Sequence, residues 1–234
     1  MKRQLLAVPA VGILLLAGSC GFFRDAGDQV TQDRQIEGVT AVRLLTSGDL
    51  TISVGQVQKL SVTAGTNQQV GLTSQVIDGT LILDNKANNP NGSGISYALT
   101  VPPLTSLDIS GSGSATGIGI LTGDAQLRDS GSGGASVTSV NLTSVVVDLS
   151  GSGDVELGGQ AGTAKVTVSG SGNYNGAALV TGQTEVELDG SGGASVNATQ
   201  RLAATVNGSG DVTYTGDPAE ISKDASGSGE IVPG

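Results

Sequence analysis

From residue 105 onward the tripeptide Gly-Ser-Gly recurs, with its first glycine at Gly111, Gly131, Gly151, Gly170, Gly190, Gly208 and Gly227. The spacings are 20, 20, 19, 20, 18 and 19 residues. A fixed period of this size is the mark of a solenoid, because each repeat must bury its apolar face against the next copy. The period also accounts for much of the composition, since fourteen of the 38 glycines are these paired corners.

Aligned on the first glycine, the units show which side chains point inward. Four residues before it stand Leu107, Leu127, Val147, Val166, Val186, Ala204 and Lys223, and two before it Ile109, Asp129, Leu149, Val168, Leu188, Val206 and Ala225. Four residues after it stand Ala115, Ala135, Val155, Tyr174, Ala194, Val212 and Ile231, and six after it Gly117, Val137, Leu157, Gly176, Val196, Tyr214 and Pro233. Apolar residues at period two on either side of a corner give two short strands per unit, each with one buried face. Without intervening helices, such units stack as an all-β, single-stranded parallel β-helix. The corner glycines are expected to take φ > 0, and the serines between them to form a hydroxyl ladder bonded to neighbours or turn backbone. Seven rungs at ~4.8 Å make a stack ~29 Å tall.

Outward positions alternate in charge. Three residues before the first glycine the column reads Asp108, Arg128, Asp148, Thr167, Glu187, Thr205, Asp224, so neighbouring rungs never juxtapose two acids. Asp108-Arg128-Asp148 is expected to form a surface ladder, and Lys165 to pair with Glu185 across rungs for ~0.5 kcal/mol. Asp129 breaks the apolar series and is read as a local bulge. Lys223, Ala225 and Pro233 make the last unit a cap, since proline cannot donate to a further strand.

Residues 39–104 lack the period but alternate, as in Leu50-Thr51-Ile52-Ser53-Val54. Gln75 to Leu83 reads as a hairpin about Asp78-Gly79, Asn85 to Gly94 as a polar loop, and Tyr97 to Leu104 as the lead into the repeats. About 65 residues alone bury little surface, so this region is read as N-terminal capping strands and a hairpin within one domain, 39–232, whose repeats span 105–232.

The first 38 residues have a different character. Met1-Lys2-Arg3 followed by an apolar run from Leu5 to Ala17 is too short for a transmembrane helix and fits a signal peptide, 1–19. Leu16-Ala17-Gly18-Ser19 before the single cysteine resembles the lipobox of bacterial lipoproteins, which implies cleavage before Cys20 and lipidation there. An ordinary secretory signal with an incidental cysteine is the alternative. Residues 20–38 are read as a lipidated tether, with Phe22 and Phe23 as linker residues.

Composition excludes much chemistry. The chain has no histidine and one cysteine, so imidazole-based triads, dyads and metal sites, and internal disulfides, cannot be built. Its net charge of −10, or −12 once Lys2 and Arg3 are removed, leaves no basic patch for nucleic acid or for anionic lipid headgroups.

The segments Ser47 to Val54, Ile77 to Ile82, Leu99 to Pro102, Leu149 to Val155 and Tyr214 to Pro218, in this order, are similar to the head GIN domain family of auto-transporter adhesins. The resemblance implies a right-handed β-helix and an envelope location, often as a lipoprotein, and supplies no catalytic residues. The leading functional reading is a lipid-anchored, non-enzymatic surface scaffold. Its partners are the membrane, through the lipid on Cys20, and a glycan or envelope polymer. The face after the corner, Thr116, Ser136, Glu156, Asn175, Ser195 and Thr213 beside Ser114, Gly134, Asp154, Asn173, Gly193 and Asp211, is the candidate contact surface. A solvated face without a ligand is the plain alternative. An enzyme of the polysaccharide lyase or hydrolase kind would use Asp148 with Asp154 or Asp211 with Asp217, and calcium would use Asp154 and Asp211; only two of seven corners carry such an acid. Cys20 is the one site residue assigned, with no catalytic, cofactor or metal ligand.

Overall fold

The computed structural model describes residues 26–86 and 94–234; the signal segment, Cys20, Phe22 and Phe23 lie outside them. The first strands are β1 (Gln29–Arg34), β2 (Ala41–Leu44), β3 (Asp49–Val54) and β4 (Lys59–Gly65). A single helical turn, α1 (Thr66–Gln69), leads to β5 (Leu72–Ile77), β6 (Thr80–Asn85) and β7 (Ser96–Val101). The repeats supply β8 (Leu104–Ile109), β9 (Ala115–Ile118), β10 (Leu121–Asp129), β11 (Ala135–Leu149), β12 (Val155–Val168), β13 (Tyr174–Leu188) and β14 (Ala194–Val206). The chain finishes with β15 (Val212–Thr215), β16 (Glu220–Ala225) and β17 (Ile231–Pro233).

These strands stack in two files on either side of the glycine corner. The pre-corner file runs β5, β6, β2, β8, β10, β11, β12, β13, β14, β16. The post-corner file runs β1, β4, β7, β3, β9, β11, β12, β13, β14, β15, β17. Strands β11 to β14 bend around a second corner and serve in both. There Gly119 (φ 62°) and Ser139 (φ 57°) stand at matching places in successive units, and Gly159 (φ 133°) pairs one residue on, with Val140, across a register shift. Pairing within the repeats is parallel and in register, so the chain is an all-β solenoid, and the inward series is buried: Leu107, Leu127, Val147, Leu149, Val166 and Val186 are 0–1% exposed. Tyr174 fits where other units carry alanine or valine because Gly176 leaves room for its ring; a Cβ there would lie 2.5 Å from the Tyr174 hydroxyl.

The corner glycines obey a different rule from the expected one. None of them has positive φ. What they lack is space: a Cβ on Gly131, Gly151, Gly190 or Gly208 would lie 1.9–2.0 Å from the carbonyl oxygen of the equivalent glycine one rung before. The corners approach so closely because backbone carries the ladder through them, as in Ser152 N–H to Gly131 O (2.9 Å) and Ser209 N–H to Gly190 O (3.0 Å). The serine hydroxyls between the glycines point to solvent and make no ladder. The bonded polar ladder stands one residue before the corner, where Ser130 donates to Ser110 (3.2 Å), Asn207 to Asp189 (2.7 Å) and Ser226 to Asn207 (2.9 Å).

Residues 41–54 form a full rung, with Thr46-Ser47-Gly48 as an eighth corner directly under Gly111 and Gly113. Val42, Leu44, Leu50 and Ile52 extend the four inward series. The following segment then adds the rung of β6 and β7 on the far side of β2 and β3, so neighbours in space sit 65 residues apart. The Asp78-Gly79 hairpin forms as expected, both residues having positive φ (48° and 78°), the requirement of a type I′ turn. Part of the segment read as tether belongs to the fold: β1 pairs antiparallel with β4. Its inward-facing Val30 gives too weak a pattern to mark it in the sequence.

Asp129 makes no bulge. It pairs in register with Ile109 and Leu149 and is 0% exposed. The charge column stacks in register, but Arg128 Nε meets Asp148 (3.1 Å) and Asp108 is met instead by Arg43 Nε (2.9 Å), while two residues earlier Lys165 Nζ meets Glu185 (2.8 Å). All are partly exposed, so Arg128→Ala is expected to cost about 0.2–1 kcal/mol in denaturant unfolding; a loss of several kcal/mol would mean that Arg128 holds the rungs in another way. At the C-terminal end, Lys223 lies 4.3 Å above the Tyr214 ring centroid and donates to the Tyr214 hydroxyl (2.9 Å) and Ile231 O (3.2 Å). This covers the open apolar interior, as the capping reading requires.

Candidate functional site

The face after the corner is concave. Its shallow groove of about 680 Å³ is lined by Ser114, Thr116, Ser136, Asp154, Glu156 and Asn175, with the corner backbone between them. At Thr116 and Ser136 it continues into a second hollow beside Val54, Ile118 and Thr138. Ile118 is 70% exposed and Val54 47%, so polar rows end in a small apolar platform. Sequence reasoning found the polar rows and missed the platform, which only appears once β3 is known to lie beside β9.

The acids of this face have structural partners. Asp154 Oδ1 accepts the backbone N–H of Asn173 (2.8 Å) and its amide (2.9 Å). Asn173 Oδ1 accepts the N–H of Gly193 (2.9 Å), Asp211 Oδ1 that of Glu230 (2.8 Å), and Asp49 Oδ1 that of Ser114 (3.1 Å). An Asp or Asn three residues after the first corner position therefore satisfies the free N–H of the same position one rung on. Asp154, Asn173 and Asp211 share one position of the repeat alignment, and Asp49 joins them only once residues 41–54 are placed as a rung.

This gives three of the four proposed acids, Asp148, Asp154 and Asp211, a structural partner. Asp148 accepts from Arg128 on the pre-corner face, while Asp154 caps the rung above it on the other side of the corner. Among the described residues no three His, Cys, Asp or Glu side chains converge as a metal site. Millimolar calcium is expected to leave the melting temperature unmoved in a thermal scan, and a rise of several degrees would contradict this arrangement. On the pre-corner face Lys165–Glu185 and Arg201–Glu220 (3.6 Å) occupy the charged groups. The post-corner groove has no ion pair among its lining residues. Glu156 there accepts from Ser136 Oγ (2.9 Å), Asn175 is exposed with its Oδ1 accepting the Ala177 N–H (3.3 Å), and Thr116 projects to solvent.

Residues 39–218 match the family described as "Putative auto-transporter adhesin, head GIN domain". The chain belongs to the head GIN domain family. The family description points to an exported or surface protein. Strands β16 and β17 continue the head GIN solenoid beyond the matched span. Among solved structures, a protein titled "putative adhesin" from Bacteroides fragilis is 25% identical, with 88% of this chain and 97% of that chain covered and a TM-score of 0.83. One titled "Putative lipid binding protein" from Parabacteroides distasonis is 27% identical, covering 89% and 97%, with a TM-score of 0.71. A "putative adhesin" from Parabacteroides distasonis, 19% identical over 89% and 98% with a TM-score of 0.68, shares the fold. No curated protein matches the chain.

Proposed function

We propose that this head GIN domain is a lipid-anchored envelope adhesin that holds a glycan or envelope polymer along its post-corner face, with Cys20 carrying the acyl chains. The observation that carries this reading is the division of labour between the faces. The pre-corner face carries cross-rung ion pairs such as Lys165–Glu185 and Arg201–Glu220, whereas the post-corner groove, with no ion pair among its lining residues, presents Thr116, Glu156 and Asn175 next to the apolar Ile118. Hydroxyl, amide and carboxylate groups beside a small apolar patch suit a polymer that is hydroxyl-rich on its edges and apolar on its ring faces. Side chains this short lose little rotamer entropy on contact. The adhesin descriptions of the family and of the Bacteroides fragilis relative support the same role. No residue is assigned to catalysis.

The test is an array of glycans and matrix polymers probed with residues 26–234. Reproducible binding to a polysaccharide class, saturable and lost on competition with that soluble polysaccharide, is the expected result. A flat array would leave a scaffold without a ligand and overturn the proposal.

A further inference from the structure

The two ends of the column differ. Strands β1 and β5 close the N-terminal end, tied together by Arg34, whose guanidinium donates to Leu72 O (3.0 Å), Ser74 Oγ (2.7 Å) and Gln69 Oε1 (3.1 Å). At the outer rim of this cap stands Val70, 86% exposed and the most exposed large apolar side chain among the described residues. Lys86 lies beside it, its N–H bonded to Gly71 O (3.0 Å), and Ile77, 51% exposed, stands at the far end of the outermost strand β5.

Chain length fixes which end a membrane anchor must hold. Nine residue steps separate Cys20 from Gln29, a reach of at most ~32 Å. The post-corner file has eleven strands and is ~48 Å long, and β1 is its terminal strand. Charge is distributed in the same sense. Residues 26–86 hold six acids and four bases, net −2, whereas residues 94–234 hold fourteen acids and four bases, net −10. An anionic headgroup surface repels this net −2 segment less than the −10 flank, so the acyl anchor has the smaller repulsion to overcome at the cap.

We propose that the N-terminal cap around Val70, Lys86 and Ile77 is a lipid-facing surface, seated on the phospholipid headgroups beside the acylated Cys20, with the solenoid standing away from the bilayer. This rests on Cys20 carrying the lipid. It makes the adhesive groove run along the membrane normal, with its apolar Ile118 platform nearer the bilayer and the β17 end farthest out.

The experiment uses the full lipidated chain in vesicles of phosphatidylethanolamine and phosphatidylglycerol. Val70→Cys and, separately, Ser228→Cys carry a fluorophore at exposed positions on opposite ends, and a headgroup-attached quencher reports proximity. Flotation with the vesicles and several-fold stronger quenching at position 70 than at 228 is the expected result. Flotation with equal quenching, or stronger quenching at 228, would overturn the docking while leaving the anchor intact. Failure to float, with Cys20 reactive as a free thiol, would overturn the anchor and the docking with it.

Discussion

Replacing Gly153 with alanine is expected to cost about 3 kcal/mol or more, at the upper end of what overpacking does, and to lower the melting temperature by roughly 6–12 °C for a domain of this size. A Cβ at this position would lie 1.4 Å from Gly133 O and 2.4 Å from Asp129 Oδ2. Neither atom can yield cheaply, because the first belongs to the backbone of the adjoining rung and the second to a buried carboxyl. The rungs must part, and with them the hydrogen bond from Ser152 N–H to Gly131 O. Two controls separate crowding from backbone conformation. At Gly193 an added Cβ meets nothing nearer than 3.4 Å and φ is not positive, so Gly193→Ala is expected to fall within about 0.5 kcal/mol of wild type. Gly123 has open space but φ of 66°, so alanine there costs about 1–2 kcal/mol from the left-handed backbone alone. Thermal and denaturant unfolding should rank the losses as Gly153→Ala largest, Gly123→Ala intermediate and Gly193→Ala smallest; a Gly153→Ala protein as stable as wild type would refute the close-approach account.

Asp129→Asn is expected to stabilise the protein at neutral pH by about 1–3 kcal/mol, because the neutral amide avoids the cost of an ionised carboxylate in a buried site. Asp129 Oδ1 accepts the N–H of Gly131 (2.9 Å), but Oδ2 is buried with no partner. Burial pushes this carboxyl above the ordinary range; the Gly131 N–H opposes the shift, and the negative charges of Asp108 and Asp154 add to it. The acid is neutral in the folded state at pH values where the unfolded chain has already ionised. Within that window the native state binds more protons, so wild-type stability falls as pH rises from about 3.9 through the raised folded value and stays reduced above it. The advantage of the asparagine variant should therefore vanish near pH 4 and grow toward pH 7. Denaturant midpoints of both proteins across that range check it; a difference that is constant with pH, or reversed, would contradict it.

The repeats were legible because their information is periodic. The alternation around Gly-Ser-Gly marked which residues are inside, and the spacing of Lys165 and Glu185 specified a cross-rung pair that forms at 2.8 Å. The reason for glycine was not legible, since positive φ and close approach select the same residue, and only the position of the adjoining carbonyl distinguishes them. The order of the first rungs was hidden by an insertion. Residues 41–54 occupy a regular rung, but the next rung on that side comes 65 residues later, after β6 and β7 have been laid on the opposite side. At Asp129 the hydrophobic series breaks where the backbone register does not. The buried acid sits under the corner, bonded to Gly131 two residues on as Thr46 Oγ1 is to Gly48 (2.9 Å). On the candidate face the polar rows were visible, whereas the use of Asp49, Asp154 and Asp211 as caps required the partner N–H groups on the next rung.

The central claim is that the post-corner face, and not the column as a whole, makes the adhesive contact. Binding of the array-identified polysaccharide by Asn175→Arg and Gln183→Arg measures this most directly, because both positions are exposed and lie on opposite faces of the same unit. The account predicts at least a tenfold loss for Asn175→Arg, about 1.4 kcal/mol, with Gln183→Arg binding like wild type and both proteins melting together. Equal binding by the two variants, or a loss confined to Gln183→Arg, would contradict it.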